Sequence, residues 1–378
     1  MLGSLMITTQ RLPPSLTPLD AALAMLRDGL EPVAACEVPL AEALGCVAAD
    51  MPPLRAFPER DVAAVDGWAF RARDLVGASS YSPLPLAQLP VWVEAGDAMP
   101  GDCDCVVDVD LVESSGPLAQ AVAEAIPGQG VRRAGENIAE ASAVITAGRP
   151  LRALDLLIER AAGLQALAVR RPRMRLVNVP TTAGSNPTAQ FIAEQAEAAG
   201  AAVTRSDAAG RDAASIARSL DADACDLLIT IGGTGVGRSD ATVEALAMRG
   251  EILAHGIALA PGRTTAIGRI AEIPVIALPG APDHALAAWW TMALPVLDRL
   301  SARQPRPALR LPLARKIASG IGVAEIALVE KIDHYWTPLA SGDLSLDAIV
   351  RADGWLAVPA DSEGFAAGTP VDAYMLRD

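Results

Sequence analysis

The sequence between Arg173 and Leu300 alternates between short apolar runs and longer segments of helical character. The runs RMRLVNV, AAVTRSD, CDLLITI and IPVIALPG are typical of strands, and the segments that follow them are typical of helices. Because helices connect parallel strands in this way, the pattern predicts an α/β domain with a parallel sheet covered by helices on both faces. Ligands of such sheets bind beyond the carboxyl ends of the strands.

A glycine-rich loop follows the third of these strands. Gly233, Gly235 and Gly237 leave the backbone bare where the strand gives way to a helix, so amide N–H groups and the helix dipole could bind an anion there. A tight turn that needs positive φ angles is the alternative interpretation. The loop lacks a Walker lysine and the G-x-G-x-x-G spacing, so it does not identify a nucleotide. A second junction, Pro279-Gly280, should open at the same sheet edge and favours a binding site.

The chain has 378 residues, which is enough for two to four domains. Residues 15–49 look helical, the next segment consists of short β-like runs between prolines and glycines, and the C-terminal segment again looks β-like. We therefore expect a helical and linker domain, an inserted mostly β domain, the α/β domain and a C-terminal β domain. Their predicted bounds are 8–49 with 140–171, 50–139, 172–303 and 304–378.

Charge and composition limit the partners. The formal net charge is −14, which argues against a sequence-independent nucleic-acid binder and requires any anionic ligand to be held by local arginines and amides. The apolar run HALAAWWTMALPVL is too short to span a membrane, and the N-terminal residues show no targeting signal. The five scattered cysteines match no common zinc spacing. We therefore expect a cytoplasmic protein with reduced thiols and no membrane partner.

Seven segments resemble motifs of one family and occur in that family's order. DVAAVDGWAFRARD is similar to D-N-S-A-M-D-G-Y-A-[FV]-R, IGGTGVGRSD to S-G-G-V-S-x-G-x-x-D, and HGIALAPGRTTAIG to H-x-[IV]-x-x-K-P-G-K-P-x-x-x-G. EAGDAMPGDCDCVV, VRRAGENI, ALPGAPDHAL and VRADGWLAVPA resemble four further motifs. The resemblance is to the molybdopterin molybdenumtransferases, known as MoeA in bacteria and as the gephyrin E domain in animals, and it runs from about residue 15 to the end.

The resemblance implies a reaction that inserts molybdate into the dithiolene of adenylylated molybdopterin, uses Mg²⁺ and releases AMP. Phosphates and molybdate need amide and arginine donors, and magnesium prefers carboxylate oxygens. The resemblance also implies a homodimer whose site is shared between subunits. Other cofactor-biosynthesis proteins or a recipient molybdoenzyme would be further partners.

The same motifs assign candidate site residues by position. The catalytic set is Asp61, Asp66, Asp240, Arg263 and Arg351, with Asp61 and Asp240 as metal ligands. The substrate-binding set is Gly232, Gly233, Gly235, Gly237, Pro261, Gly262, Pro279, Gly280, Arg132 and Glu136. Simpler roles stay open: the aspartates could cap loops, Arg132 and Glu136 could form a surface ion pair, and Arg351 could be a solvated arginine at a strand end.

Several positions depart from the family pattern. Ala95 replaces a threonine, Ala260 the first lysine of K-P-G-K, Arg263 its second lysine, and Ala281 the asparagine of P-G-N-P. The acidic S-T-G-D-E-L segment is replaced by NVPTTAGSN. Two hypotheses follow: a divergent molybdenumtransferase, or a non-catalytic or altered binder of molybdopterin or the finished cofactor. A scaffold protein is a third class, for which no peptide-binding site was found.

Overall fold

The structure is a computed structural model that describes residues 10–88, 90–115, 118–181 and 187–376. The chain divides into two compact units. The major unit comprises Met1–Asp50, Ala147–Arg152 and Leu167–Asp378, and the inserted unit comprises Met51–Thr146 and Ala153–Ala166. None of the helices in the described ranges combines the length and apolar character needed to cross a membrane.

The helices are short and fall mostly in the major unit. They are α1 (Leu19–Arg27), α2 (Ala153–Ala161), α3 (Pro187–Ala198), α4 (Ala213–Ser219), α5 (Thr242–Arg249), α6 (Pro282–Ala288), α7 (Leu294–Leu300) and α8 (Leu346–Arg351). A π-helical turn, Trp289–Ala293, joins α6 to α7, and 3₁₀ turns occur at Ala72–Leu75 and Val109–Leu111.

The strands of the N-terminal half are β1 (Cys36–Pro39), β2 (Val47–Ala48), β3 (Val62–Ala63), β4 (Gly67–Phe70), β5 (Leu84–Pro85), β6 (Val91–Val93), β7 (Cys105–Val107), β8 (Val112–Ser115), β9 (Leu118–Ala121), β10 (Val131–Arg132), β11 (Ala166–Arg170) and β12 (Arg173–Asn178). Those of the C-terminal half are β13 (Ala202–Asp207), β14 (Leu227–Ile231), β15 (Glu251–His255), β16 (Leu259–Ala260), β17 (Ala266–Ile270), β18 (Ile273–Leu278), β19 (Ala308–Pro312), β20 (Ile317–Ala318), β21 (Ala324–Ile332), β22 (Tyr335–Ser341), β23 (Gly354–Val358), β24 (Gly364–Phe365) and β25 (Pro370–Met375).

The predicted α/β fold is confirmed in the major unit. Its central sheet has the order β13-β12-β14-β18-β17-β15, in which the first four strands are parallel. Strand β17 is antiparallel to both of its neighbours, β18 and β15, and neither β17 nor β15 was predicted. Strand β14 is buried on both faces: Leu227 and Ile229 belong to one hydrophobic core and Leu228 to the other, as the two-residue period of a central strand requires.

The C-terminal strands share the core of the α/β segment. Strand β16 pairs in parallel with β21, in a sheet of order β16-β21-β23-β25-β19. The indole ring of Trp290 stacks on that of Trp355, with centroids 5.2 Å apart and planes 8° apart. The compact unit therefore extends across the boundary expected at residue 304, and the division into four domains stays a prediction.

The N-terminal segment is less helical than expected. Helix α1 forms, but β1 and β2 replace the helical structure expected over the rest of residues 15–49 and lie on either side of β11. The backbone of Gly45 has a φ of +77° and a side chain there would meet the carbonyl oxygen of Ala198 at 3.0 Å, so a helix cannot continue through this position.

The inserted unit is built from small antiparallel sheets. One has the order β6-β4-β7, another β5-β9-β8, and β3 pairs with β10. The last pairing joins Val62 to Arg132, and thereby aligns two of the segments that carry the family resemblance.

Candidate functional site

The glycine loop connects β14 to α5 at the carboxyl edge of the parallel sheet. Gly232 and Gly233 have φ angles of +96° and +70°, in the left-handed region that favours glycine. The Thr242 hydroxyl donates to the Gly232 carbonyl oxygen at 2.8 Å. The loop is therefore a tight turn of the kind considered from the sequence, and its geometry leaves backbone amides for further use.

Three loops converge at this edge, as the topology predicts. A β-carbon added to Gly280 would lie 3.5 Å from the Cα of Gly232, so the loop after Pro279 touches the glycine loop through backbone alone. The hydroxyl groups of Thr234 and Thr264 lie 3.4 Å apart, which connects the glycine loop to the turn containing Pro261 and Gly262. These loops form the candidate site of the major unit.

The amides available to an anion are those of the loop. Across the described residues, no group accepts a hydrogen bond from the N–H of Thr234, Gly235 or Val236. The first amides of α5 are occupied, since the Thr242 N–H donates to the Gly233 carbonyl at 3.0 Å and the Val243 N–H donates to Gln10 Oε1 at 2.8 Å. The amides of Thr242 and Val243 are therefore not free, and the donors left for an anion are those of the loop.

Asp240 lies inside the glycine loop. Its Oδ2 accepts from the Gly237 N–H at 2.9 Å, and its Oδ1 lies 3.7 Å from Nη2 of Arg211. Arg211 also donates to Ser239 Oγ at 2.9 Å and to the Pro180 carbonyl at 3.2 Å. The geometry therefore gives Asp240 an orienting role for the loop, which is one of the alternatives that the sequence left open.

Arg263 and His255 flank the loop differently. The Arg263 guanidinium is exposed and forms no ion pair or hydrogen bond with any described residue, so it is available to an anionic ligand. His255 Nε2 lies 3.1 Å from the Thr234 carbonyl oxygen. Burial lowers the pKa of His255, which keeps the ring neutral with Nε2–H as the donor.

Arg351 forms its ion pairs with residues outside the glycine loop. It is the last residue of α8 rather than a strand-end residue, and its guanidinium is 3.4 Å from Glu330 and 3.7 Å from Asp347. No hydrogen bond or ion pair among the described residues links the Arg351 guanidinium to the glycine loop. The structure thus gives Arg351 local carboxylate partners, while the anion contact remains a prediction.

In the inserted unit, the matched motifs bond to one another. Asp61 Oδ1 accepts from the Ala134 N–H at 2.8 Å, and Asp66 Oδ1 accepts from the Ala95 N–H at 2.7 Å. Glu136 accepts from the Arg133 N–H at 2.8 Å. These carboxylates therefore cap loops in this structure, and Glu136 is not paired with Arg132.

A cavity of about 590 Å³ lies beside these motifs within the inserted unit. Arg55, Arg60 and Arg132 line it together with Glu59, and none of the three guanidinium groups has a partner in the part of the chain that the structure describes. Sequence reasoning found Arg132 but missed Arg55 and Arg60. The position of Arg60 directly before Asp61, and of Arg55 five residues before Arg60, was the available signal.

The structure also describes some of the positions that depart from the family pattern, and the acidic residues that could bind a metal ion. Ala281 is the N-cap residue of α6 and provides no side-chain cap, and part of NVPTTAGSN, residues 182–186, lies outside the described residues. Within the described ranges, no group of three or more His, Cys, Asp or Glu side chains is placed to hold a metal ion.

Comparisons with known proteins agree with this architecture. A model of the MoeA N-terminal region (domain I and II) matches residues 17–163, and a model of a probable molybdopterin binding domain matches residues 174–299. The chain is 29% identical to molybdopterin molybdenumtransferase 2 of Mycobacterium tuberculosis over 90% of this chain and 94% of that protein. It is 27% identical to a molybdopterin molybdenumtransferase of Synechococcus elongatus, over 85% and 89% of the two chains.

A solved structure shares the fold. The crystal structure of the molybdopterin biosynthesis MoeA protein of Pyrococcus horikoshii superposes with a TM-score of 0.66 and 24% identity, covering 96% of this chain and all of that one. The two family models, the full-length relatives and the shared architecture lead to one assignment. The chain belongs to the MoeA family, the molybdopterin molybdenumtransferases.

Proposed function

We propose that this chain is an enzyme of molybdenum cofactor biosynthesis that inserts molybdate into adenylylated molybdopterin and releases AMP. The observation that carries the proposal is the loop cluster at the sheet edge, where the unpaired amides of Thr234, Gly235 and Val236 lie on the same loop system as the unpartnered Arg263. Both substrates are anions, and such donors bind oxyanions in a chain of net charge −14.

The residues divide into groups with different tasks. The glycine-loop amides would bind a phosphate or the molybdate dianion, and Arg263 would add a charged donor where the family pattern has lysine. Asp240, held by Arg211, would keep the loop in shape. In the inserted unit, Arg132 would bind a further anionic group, while Asp61 and Asp66 fix the loops around it.

A non-catalytic binder of the same fold is not favoured, because relatives that align over most of this chain are named molybdenumtransferases. The replacements at Ala95, Ala260 and Ala281 remove side chains but leave the backbone cradle. Catalysis that depends on backbone amides and Arg263 tolerates these replacements.

Magnesium and a homodimer are further parts of the proposal and derive from the resemblance, whereas a cytoplasmic location is proposed from the scattered cysteines. The described residues do not fit a metal site made of protein ligands alone, since no acidic cluster forms and Asp61 and Asp240 already accept backbone N–H groups. We assign no step to the metal. Light scattering of the purified chain tests the dimer.

The decisive experiment is reconstitution with purified protein, adenylylated molybdopterin and molybdate. We expect AMP to be released only when molybdate is present. The reaction is run both with and without added Mg²⁺. The R263A variant should release AMP more slowly than wild type. Absence of AMP release combined with absence of pterin binding would contradict the proposal, whereas tight binding without turnover would restore the binding-protein hypothesis.

A further inference from the structure

The N-terminal segment from Gln10 to Thr17 reaches the glycine loop. Its base is fixed at Thr17, whose N–H donates to the Gly256 carbonyl at 2.9 Å and whose carbonyl accepts from the Ala258 N–H at 2.8 Å. Leu12, Pro13 and Leu16 then pack so closely on Gly256 that a β-carbon there would lie 3.1–3.2 Å from each of them. The segment is therefore held against the end of β15, ahead of the turn that contains Pro261.

At its tip, the Gln10 carboxamide makes three hydrogen bonds. Nε2 donates to the carbonyl oxygens of Gly233 and Gly235 at 3.0 and 2.9 Å, and Oε1 accepts from the Val243 N–H at 2.8 Å. A single side chain thus uses both donors and its acceptor on the loop and on the first turn of α5.

The direction of these bonds determines where the loop amides point. In a trans peptide the C=O of one residue and the N–H of the next are antiparallel. Because Gln10 holds the carbonyls of Gly233 and Gly235, the amides of Thr234 and Val236 point to the opposite side of the loop, and neither has an acceptor in the described residues.

We infer that Gln10 is a positioning residue of the anion site, which turns the Thr234 and Val236 amides toward the bound oxyanion. Gln10 does not contact the ligand. By binding two carbonyl groups, it fixes the orientation of the two peptide groups whose amides would bind the ligand. This inference rests on the proposed function for the identity of the ligand. None of the seven motif resemblances includes Gln10, which lies before the first of them.

The test compares three variants in the full-length protein. Q10M keeps the length of the side chain, adds no charge and removes all three bonds. Q10E keeps the acceptor for the Val243 N–H but loses both donors, so it retains the helix cap and releases the carbonyls. Q304A is the matched control, because Gln304 also donates to a backbone carbonyl, that of Ala147, at 3.0 Å.

Binding of AMP and of molybdate is measured by isothermal titration, with hydrogen exchange of the loop amides and steady-state kinetics on the same proteins. We expect Q10M to raise the Kd for AMP at least fivefold, to speed exchange in the segment 233–243 and to raise KM more than it lowers kcat. Q10E should also speed exchange in that segment, and Q304A should match wild type in binding.

The outcomes separate the two proposals. If wild-type protein binds neither AMP nor molybdate, the proposed function fails first and this inference with it. If wild type binds but Q10M and Q10E bind equally well, with unchanged exchange and KM, the positioning role is overturned while the proposed function stands. Should Q10M fail to fold, Q10E alone decides through hydrogen exchange, which its added charge does not mimic.

Discussion

The hydroxyl group of Thr242 occupies the space in which a side chain on Gly233 would begin. Gly233 also has a φ of +70°, so alanine there meets both backbone strain and a clash. We expect G233A to cost about 1–2 kcal/mol of unfolding free energy from the left-handed backbone and a further 1–3 kcal/mol, roughly, from overpacking. Urea denaturation measures the total change in the free energy of unfolding. The control is G29A, with a φ of +68° and open space around it, which should show the first cost alone.

Asp240 and Arg211 should act as one unit on the glycine loop. Because Asp240 bonds Gly237 and pairs with Arg211, we expect D240N and R211M to weaken AMP binding to a similar degree, with a coupling energy of about 0.5–1 kcal/mol in the double-mutant cycle. Titration calorimetry measures it. Breaking the Arg173–Asp226 pair by R173M is the control and should leave AMP binding unchanged. A change in Mg²⁺ dependence confined to D240N would instead indicate a metal ligand.

Arg263 should affect ligand binding but not stability. Its side chain is exposed and unpartnered, so we expect R263A to weaken binding of molybdate or AMP about five- to tenfold, which corresponds to roughly 1–1.4 kcal/mol. The unfolding free energy should change by less than about 0.5 kcal/mol. R249A removes another exposed arginine, at the far end of α5, and should bind like wild type. Equal affinities for R263A and R249A would remove Arg263 from the site.

His255 should make stability depend on pH. Burial holds the pKa of His255 below 6.5, so the unfolded chain takes up the proton more readily than the folded one. The contribution of this group is therefore fully present above about pH 6.5, the unfolded pKa, and is lost as the pH falls toward the folded pKa. We expect H255Q, which can still donate to the Thr234 carbonyl, to show a smaller loss of unfolding free energy than wild type between about pH 7.5 and 5.5. H334Q, at the exposed turn between β21 and β22, is the control.

The arginine-lined cavity of the inserted unit should bind an anion in a salt-dependent way. Replacing Arg60 or Arg132 with alanine should weaken binding of the pterin substrate about threefold or more, and the effect should shrink as salt screens the charges. Titrations at low and high ionic strength measure it. R73A removes an exposed arginine of the same unit outside the cavity lining and should have no effect. A loss of binding that does not vary with salt would argue for a packing role instead.

The α/β domain was predictable because apolar strand segments alternate clearly with helical segments along its sequence. Leu227 to Ile231 is apolar except for Thr230, which is typical of a strand buried on both faces, and the helix after it ends at Gly250 as expected. Strands β15 and β17 were missed because EILAH and AIGRI are short and mixed, and the pairing of β17 with β18 and of β15 with β17 is a tertiary effect. The same holds for β1 and β2, which form against the distant β11.

The site was predictable at the level of loops and less so for side chains. Glycine spacing after β14 indicated bare amides, and the topology brought Gly280 next to Gly232. No local pattern indicated that Gln10 would contact Gly233, which lies 223 residues further along the chain. Nor did any pattern show that Asp240 would turn back on Gly237, because a carboxylate that binds metal and one that caps a loop look alike in one sequence.

The two-residue strand Leu259–Ala260 has a consequence for attempts to dissect the protein. It pairs with Ala324 and Glu325 of the C-terminal sheet, and the turn that follows it carries Arg263 to the glycine loop. A fragment trimmed to the α/β segment 172–303 would leave that turn without its anchor and expose the indole face of Trp290. Minimal versions of the site therefore need the chain's final strands as much as its glycines.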